Sequence, residues 1–135
     1  MNKFYWIPAI GEPKLIESED SVNKVWHELM NDPDHNLCFE MVHNILAPEI
    51  VFLVDECGKM KEHKVNHFGS SFYPGTNYGD YIAGDLLVAR IVDVLCFEDD
   101  IPFFEDIEIP FFEKDIGSLS QNDIDLINFL LEVYQ

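Results

Sequence analysis

The alternation of apolar and polar positions divides the chain into short strands and two helices. Lys3 to Ile10 is aromatic and β-branched, and Pro8 confines it to a strand start, edge or bulge. Gly11-Glu12-Pro13 turns it into a second short strand, Lys14 to Glu17. From Val22 the period changes. Val22, Val25, Trp26, Leu29 and Met30 recur at helical spacing on one face, Asp20 or Ser21 can cap the first turn, and Pro33 ends it. Leu37, Phe39 and Met41 then alternate with Cys38, Glu40 and Val42, the pattern of a half-buried strand.

The compact run Ile50-Val51-Phe52-Leu53-Val54, bounded by Asp55-Glu56-Cys57-Gly58, reads as a buried strand entering a hairpin. Its return would be Lys59-Met60-Lys61, with Gly58 supplying the positive φ of the turn. Leu86 to Val92 is a second apolar run, too short and too β-branched for an independent helix, and the two runs together predict the centre of a sheet. Between them, residues 62–81 are polar and glycine-rich, which predicts a long surface loop with one short helical turn near Val65 to Phe68. Ser120 and Asp123 approximate a capping box for a last helix with a broad apolar face of Ile124, Leu126, Ile127, Leu130, Leu131 and Val133. The fold class that follows is α+β, a mainly antiparallel sheet with two packing helices. One domain is expected, with a core over 1–93 and an acidic, Phe-rich segment and C-terminal helix over 94–135.

Charge changes this picture more than composition does. A chain of 135 residues, 47% hydrophobic, can bury a core, but its net charge of -18 opposes compaction and sets the sign of any partner. Eight Lys and Arg, with Arg90 the single arginine, are too few and too scattered to grip phosphates, so direct nucleic-acid binding is excluded. The acidity is also polarised: Asp93 to Gln135 holds twelve acidic residues against Lys114 alone, whereas Met1 to Val92 holds fourteen against seven basic ones. Cys38, Cys57 and Cys96, odd in number and far apart, argue for a reducing, cytoplasmic compartment. No signal-peptide pattern or bilayer-length apolar run is found.

Val54-Asp55-Glu56-x-Gly58-Lys59, then Asn66, then Ile82-x-Gly84-Asp85 ahead of an apolar strand form an order of residues that resembles a small domain family. That family is found mainly in phages, plasmids and gut-bacterial mobile elements and has no established activity. Ile7-Pro8-Ala9-Ile10-Gly11-Glu12-Pro13 looks like its opening strand and turn, so the resemblance spans about residues 1–93. The acidic extension after Asp93 departs from the pattern. What the resemblance implies is a setting, phage or mobile element, and no mechanism.

Catalytic signatures are sparse. His63 and His67 are four apart and would share a metal only on a helix, with no third ligand indicated. Glu98-Asp99-Asp100 offers hard oxygen ligands to a divalent cation but lacks the spacing and central glycine of a calcium loop. Cys57 sits beside Asp55 and Glu56, whose charge opposes thiolate formation. No phosphate-binding glycine loop, dinucleotide fingerprint or nucleophile elbow occurs. A non-enzymatic protein with no cofactor and no metal is the expectation.

The most unusual feature is a repeat: Ile101-Pro102-Phe103-Phe104-Glu105 recurs as Ile109-Pro110-Phe111-Phe112-Glu113. Its prolines forbid a continuous helix or a central strand. The repeat reads either as an extended edge segment clamped to the core by its phenylalanines, with charge preventing aggregation, or as an acidic ridge that docks on a basic surface. The ridge residues are Glu98, Asp99, Asp100, Glu105, Asp106, Glu108, Glu113 and Asp115. The function expected from them is occupation of a basic, nucleic-acid-binding surface on a host protein, as an anti-CRISPR or anti-restriction inhibitor does. Self-assembly as a homodimer through the Phe-rich repeat is the alternative, and a metal-dependent enzyme using the acidic cluster is a third.

Overall fold

The computed structural model of the chain describes residues 1–98 and 109–133. Its elements are β1 (Asn2–Ile7), β2 (Lys14–Ser18), α1 (Val22–Leu29), β3 (Phe39–Val42), β4 (Ile50–Asp55), α2 (His67–Ser71), a 3-10 turn (Pro74–Tyr78), β5 (Leu86–Glu98), β6 (Ile109–Gly117) and α3 (Gln121–Val133). The strands make one antiparallel sheet in the order β2-β1-β5-β4-β3, with β6 added to β5. The α+β class follows directly, with the two apolar runs at the centre of the sheet as their composition requires.

Helices cover both faces of the sheet, which is why β4 is buried along its whole length rather than alternating. On one face Val22, Val25 and Trp26 of α1 pack on Phe4, Trp6, Val51, Leu53, Leu87 and Ala89. On the other, Ile124, Ile127 and Leu131 of α3 join Phe72 and Ile82 over Tyr5, Ile7, Ile50, Phe52, Val54, Leu86 and Val88. Trp26 is fully buried and its indole N–H donates to the Leu53 carbonyl at 3.3 Å, so the largest apolar body in α1 also has its polar atom satisfied. Ser21 caps α1 by accepting from the Lys24 N–H. The capping box of α3 forms: Asp123 N–H donates to Ser120 Oγ at 3.2 Å and Ser120 N–H to Asp123 Oδ2 at 2.9 Å.

Strand β5 carries the architecture. Arg90 pairs with Ile50 on one side and with Gly117 on the other, while β1 pairs only as far as Val88. β6 therefore follows β1 along the same edge of β5. The joint is stitched where Lys3 N–H donates to Ser118 Oγ and Leu119 N–H donates to the Lys3 carbonyl, both at 2.8 Å. Beyond Ile91, β5 and β6 continue as a two-stranded ribbon that leaves the five-stranded sheet behind.

Four expectations are corrected. Asp55 to Gly58 does turn, with Gly58 N–H on the Asp55 carbonyl, but no strand returns at Lys59-Met60-Lys61; β4 pairs with β3 and β5 instead. Gly58 is not among the positive-φ glycines; a Cβ there would lie 2.9 Å from the Ala83 carbonyl oxygen, so close backbone approach is what demands glycine. The helical turn expected near Val65 to Phe68 starts later, as α2 from His67, and a 3-10 turn follows it, while Val65 bridges to Ala83. On α3 the buried face is narrower than the sequence pattern: Leu126 and Val133 face outward.

Candidate functional site

The residues expected to form the acidic ridge fall in two groups. Glu113 and Asp115 lie exposed on β6, opposite Val94 and Val92, and Glu98 closes β5 opposite Ile109. Asp99, Asp100, Glu105, Asp106 and Glu108, with the first copy of the repeat, lie outside the described residues. The second copy is β6 itself, and Pro110 sits within it opposite Phe97. A proline is accommodated because β6 is the outer strand of a two-stranded ribbon.

Glu113 and Asp115 are two residues apart, so they share one face of β6 about 7 Å apart. Lys114, between them in sequence, points to the other face and pairs with Asp93 directly across the ribbon at 2.6 Å. Arg90, where the ribbon meets the sheet, donates from Nη1 to both carboxylate oxygens of Asp123 on α3, each at 2.9 Å. The positive charges near the ribbon are thus matched internally. The same holds over much of the molecule: Lys3 pairs with Glu17, Lys24 with Asp20 and Glu28, Lys59 with Asp80 and Lys61 with Asp55. With six of the eight basic side chains committed this way, the field presented to solvent is carboxylate in excess.

A second cluster joins the residues that carry the family resemblance. Asn66 is fully buried and caps α2: its Oδ1 accepts from Gly69 N–H at 2.9 Å, and its amide NH2 donates to the carbonyls of Ile7 and Gly84, each at 3.0 Å. Asp85 accepts from Ala9 N–H at 2.8 Å, and Gly84 holds φ +87° against the His63 ring. Asp55, buried, accepts from Lys61 Nζ at 2.7 Å and Cys57 N–H at 3.0 Å, with His63 Nε2 3.4 Å away. Burial pushes its pKa up, but these bonds outweigh burial and hold it below the usual value. Asp80 is held to about 2 by Lys59, the Tyr81 N–H and the Tyr73 hydroxyl. The cleft between these ion pairs encloses about 250 Å³. Its polar groups answer one another, and among the described residues no buried side-chain polar atom lacks a partner. The motif residues fasten the long loop to the sheet.

His63 therefore stands at Asp55, and His67 begins α2 with Asn66 as its cap, so the two histidines do not share a helix face. Among the described residues no group of three or more His, Cys, Asp or Glu side chains is arranged to hold a metal. Cys38 and Cys57 are free and exposed. One cluster has no counterpart among the sequence expectations: buried His27 Nδ1 lies 2.8 Å from buried Asp32 Oδ2, exposed His35 stacks on His27 at 3.9 Å, and Asp32 also accepts from Asn36 and Leu37 N–H. Burial raises the Asp32 pKa and is outweighed by the Leu37 and Asn36 N–H bonds and by His27, so its carboxyl stays below the ordinary range. The signal was present in Asp32-Pro33, since an aspartate after a helix bonds N–H groups a few residues on. It organises the turn from α1 to β3.

Fold and surface together define a class: an antiparallel sheet covered by helices on both faces, with an acidic two-stranded ribbon running on from its central strand. No family model, curated protein or solved structure matches the chain.

Proposed function

We propose that the chain is a non-enzymatic acidic binding protein that occupies a basic surface of a partner, of the kind that otherwise holds nucleic acid. The observation that carries this reading is the ribbon: exposed Glu113 and Asp115 on one face beyond the sheet, with Lys114 neutralised by Asp93 on the other. Such a strip attracts a cationic surface over about a Debye length and then excludes its polyanionic substrate. The resemblance of residues 1–93 supplies the setting, a phage or mobile element acting in the host cytoplasm. There the partner is a defence protein and the effect is inhibition. Among the described residues no helix is long and apolar enough to cross a membrane.

The test is affinity capture from a bacterial lysate containing defence nucleases, eluted by a salt step. The comparison is a variant neutralised at Glu98, Asp99, Asp100, Glu105, Asp106, Glu108, Glu113 and Asp115 by the matching amides. The wild type should retain a nucleic-acid-binding protein that moderate salt releases, and the folded variant should lose it. Equal capture by the neutralised variant overturns the proposal.

A further inference from the structure

Strand β5 outlasts its neighbour. β4 pairs with it as far as Arg90, and the last bond on that edge runs from Ile91 N–H to the Glu49 carbonyl at 2.7 Å. Pro48, which has no N–H to offer, comes next on the β4 side. From Val92 to Glu98, β5 is paired by β6 on the opposite edge. Successive residues of a strand turn their N–H and C=O to alternate edges. Because Ile91 bonds toward β4, Asp93, Leu95 and Phe97 direct their backbone groups to that same side, where no described residue pairs with them. A groove of about 570 Å³ between Pro48-Glu49 and Ile91-Asp93 opens at the start of this edge.

We infer that this edge is a self-association site, where a second copy adds its own β5 antiparallel about a two-fold axis through Leu95. Leu95 is the midpoint of the open segment, so this register gives the longest overlap. Val92 then faces Glu98 of the second copy, Asp93 faces Phe97, Val94 faces Cys96, and Leu95 faces itself. Outward-directed residues meet outward-directed residues throughout, as hydrogen bonding requires; a shift by one would pair outward with inward positions and form no bonds. No carboxylate faces a carboxylate across the new junction, although the chain as a whole carries -18. The contact also answers a stability problem, because a two-stranded ribbon is marginal by itself and an open strand edge invites pairing. The result is a four-stranded bridge about 24 Å long, with one sheet domain at each end. The contact is thus the backbone edge of β5, not the phenylalanines of the repeat, and it is independent of the basic-partner reading.

The experiment is sedimentation of the full chain at increasing concentration and salt, with exchange of single amides read by NMR. The wild type should dimerise more tightly as salt screens the two negative chains. Amides 93, 95 and 97 should gain protection on concentration, while 94 and 96, paired with β6, are protected throughout. Leu95→Pro removes two symmetry-related bonds and orphans two carbonyls, which should weaken the dimer about 100-fold. Leu95→Asp and Leu95→Lys should each self-associate about 5-fold more weakly or worse, and associate with one another when mixed, because residue 95 meets its own copy on the axis. That rescue requires both variants to be folded. A wild type that stays monomeric at millimolar concentration in high salt overturns the inference, and so does a mixture that associates no better than its parts. Protection of 93, 95 and 97 only on adding a Lys-rich strand peptide would assign the edge to a basic partner instead.

Discussion

Asn66 gives the sharpest test of how the long loop is held. Its side chain makes three buried bonds, one as the acceptor that caps α2 and two as a donor to Ile7 and Gly84 carbonyls from two different parts of the chain. Asn66→Ala removes the cap, worth about 1 kcal/mol, and leaves two carbonyls without this donor at about 1–3 kcal/mol each, so the loss should be about 3–7 kcal/mol. Asn66→Asp separates the two roles. Aspartate caps a helix as well as asparagine does, yet here its second oxygen would face the Ile7 and Gly84 oxygens from a position 1% exposed. The predicted loss is about 4 kcal/mol or more at neutral pH, shrinking in acid as the carboxyl takes up a proton and regains one donor. Urea unfolding followed by tryptophan fluorescence measures it, since Trp26 is fully buried. An Asn66→Asp chain within about 1 kcal/mol of wild type would show that capping alone matters and refute the reasoning.

Arg90→Ala should cost about 2–3 kcal/mol by thermal unfolding, less than for a wholly buried pair because the Arg90 side chain is 32% exposed, while Asp123 is left buried without its counter-ion. Gly58→Ala should destabilise by about 1–2 kcal/mol in the same assay, since its methyl must displace the Ala83 carbonyl rather than a flexible side chain. Asp80, held to about 2 from an ordinary 3.8, contributes stability that is complete above pH 4 or so and lost as pH falls toward about 2. Its exposure keeps that contribution below about 1 kcal/mol, and Asp80→Asn should flatten that part of the stability–pH profile. Finally, a chain at -18 should unfold at higher temperature in 0.15 M salt (Debye length about 8 Å) than near zero salt; an unchanged midpoint would mean that self-repulsion is already relieved within the fold.

Local pattern by itself determined most of the elements: helical spacing from Val22 to Met30, the two apolar runs, the capping box at Ser120 and Asp123, and the antiparallel α+β class. These are legible because each depends on neighbours within a few residues. The polarised charge was equally legible, being a matter of counting. Tertiary structure alone decided what pairs with what. It turned the expected hairpin after Val54 into a loop, because β4's backbone groups are satisfied by β3 and β5 from far along the chain. It showed that Gly58 answers to the Ala83 carbonyl and that Asn66 answers to Ile7 and Gly84, contacts between segments that no local window contains. It also let β5 run on past its neighbour, making a ribbon of what looked like an appended acidic tail. A strand's sequence states which faces are apolar, but its edges are backbone, identical for every residue except proline, so only the assembled sheet reveals which edge is left open.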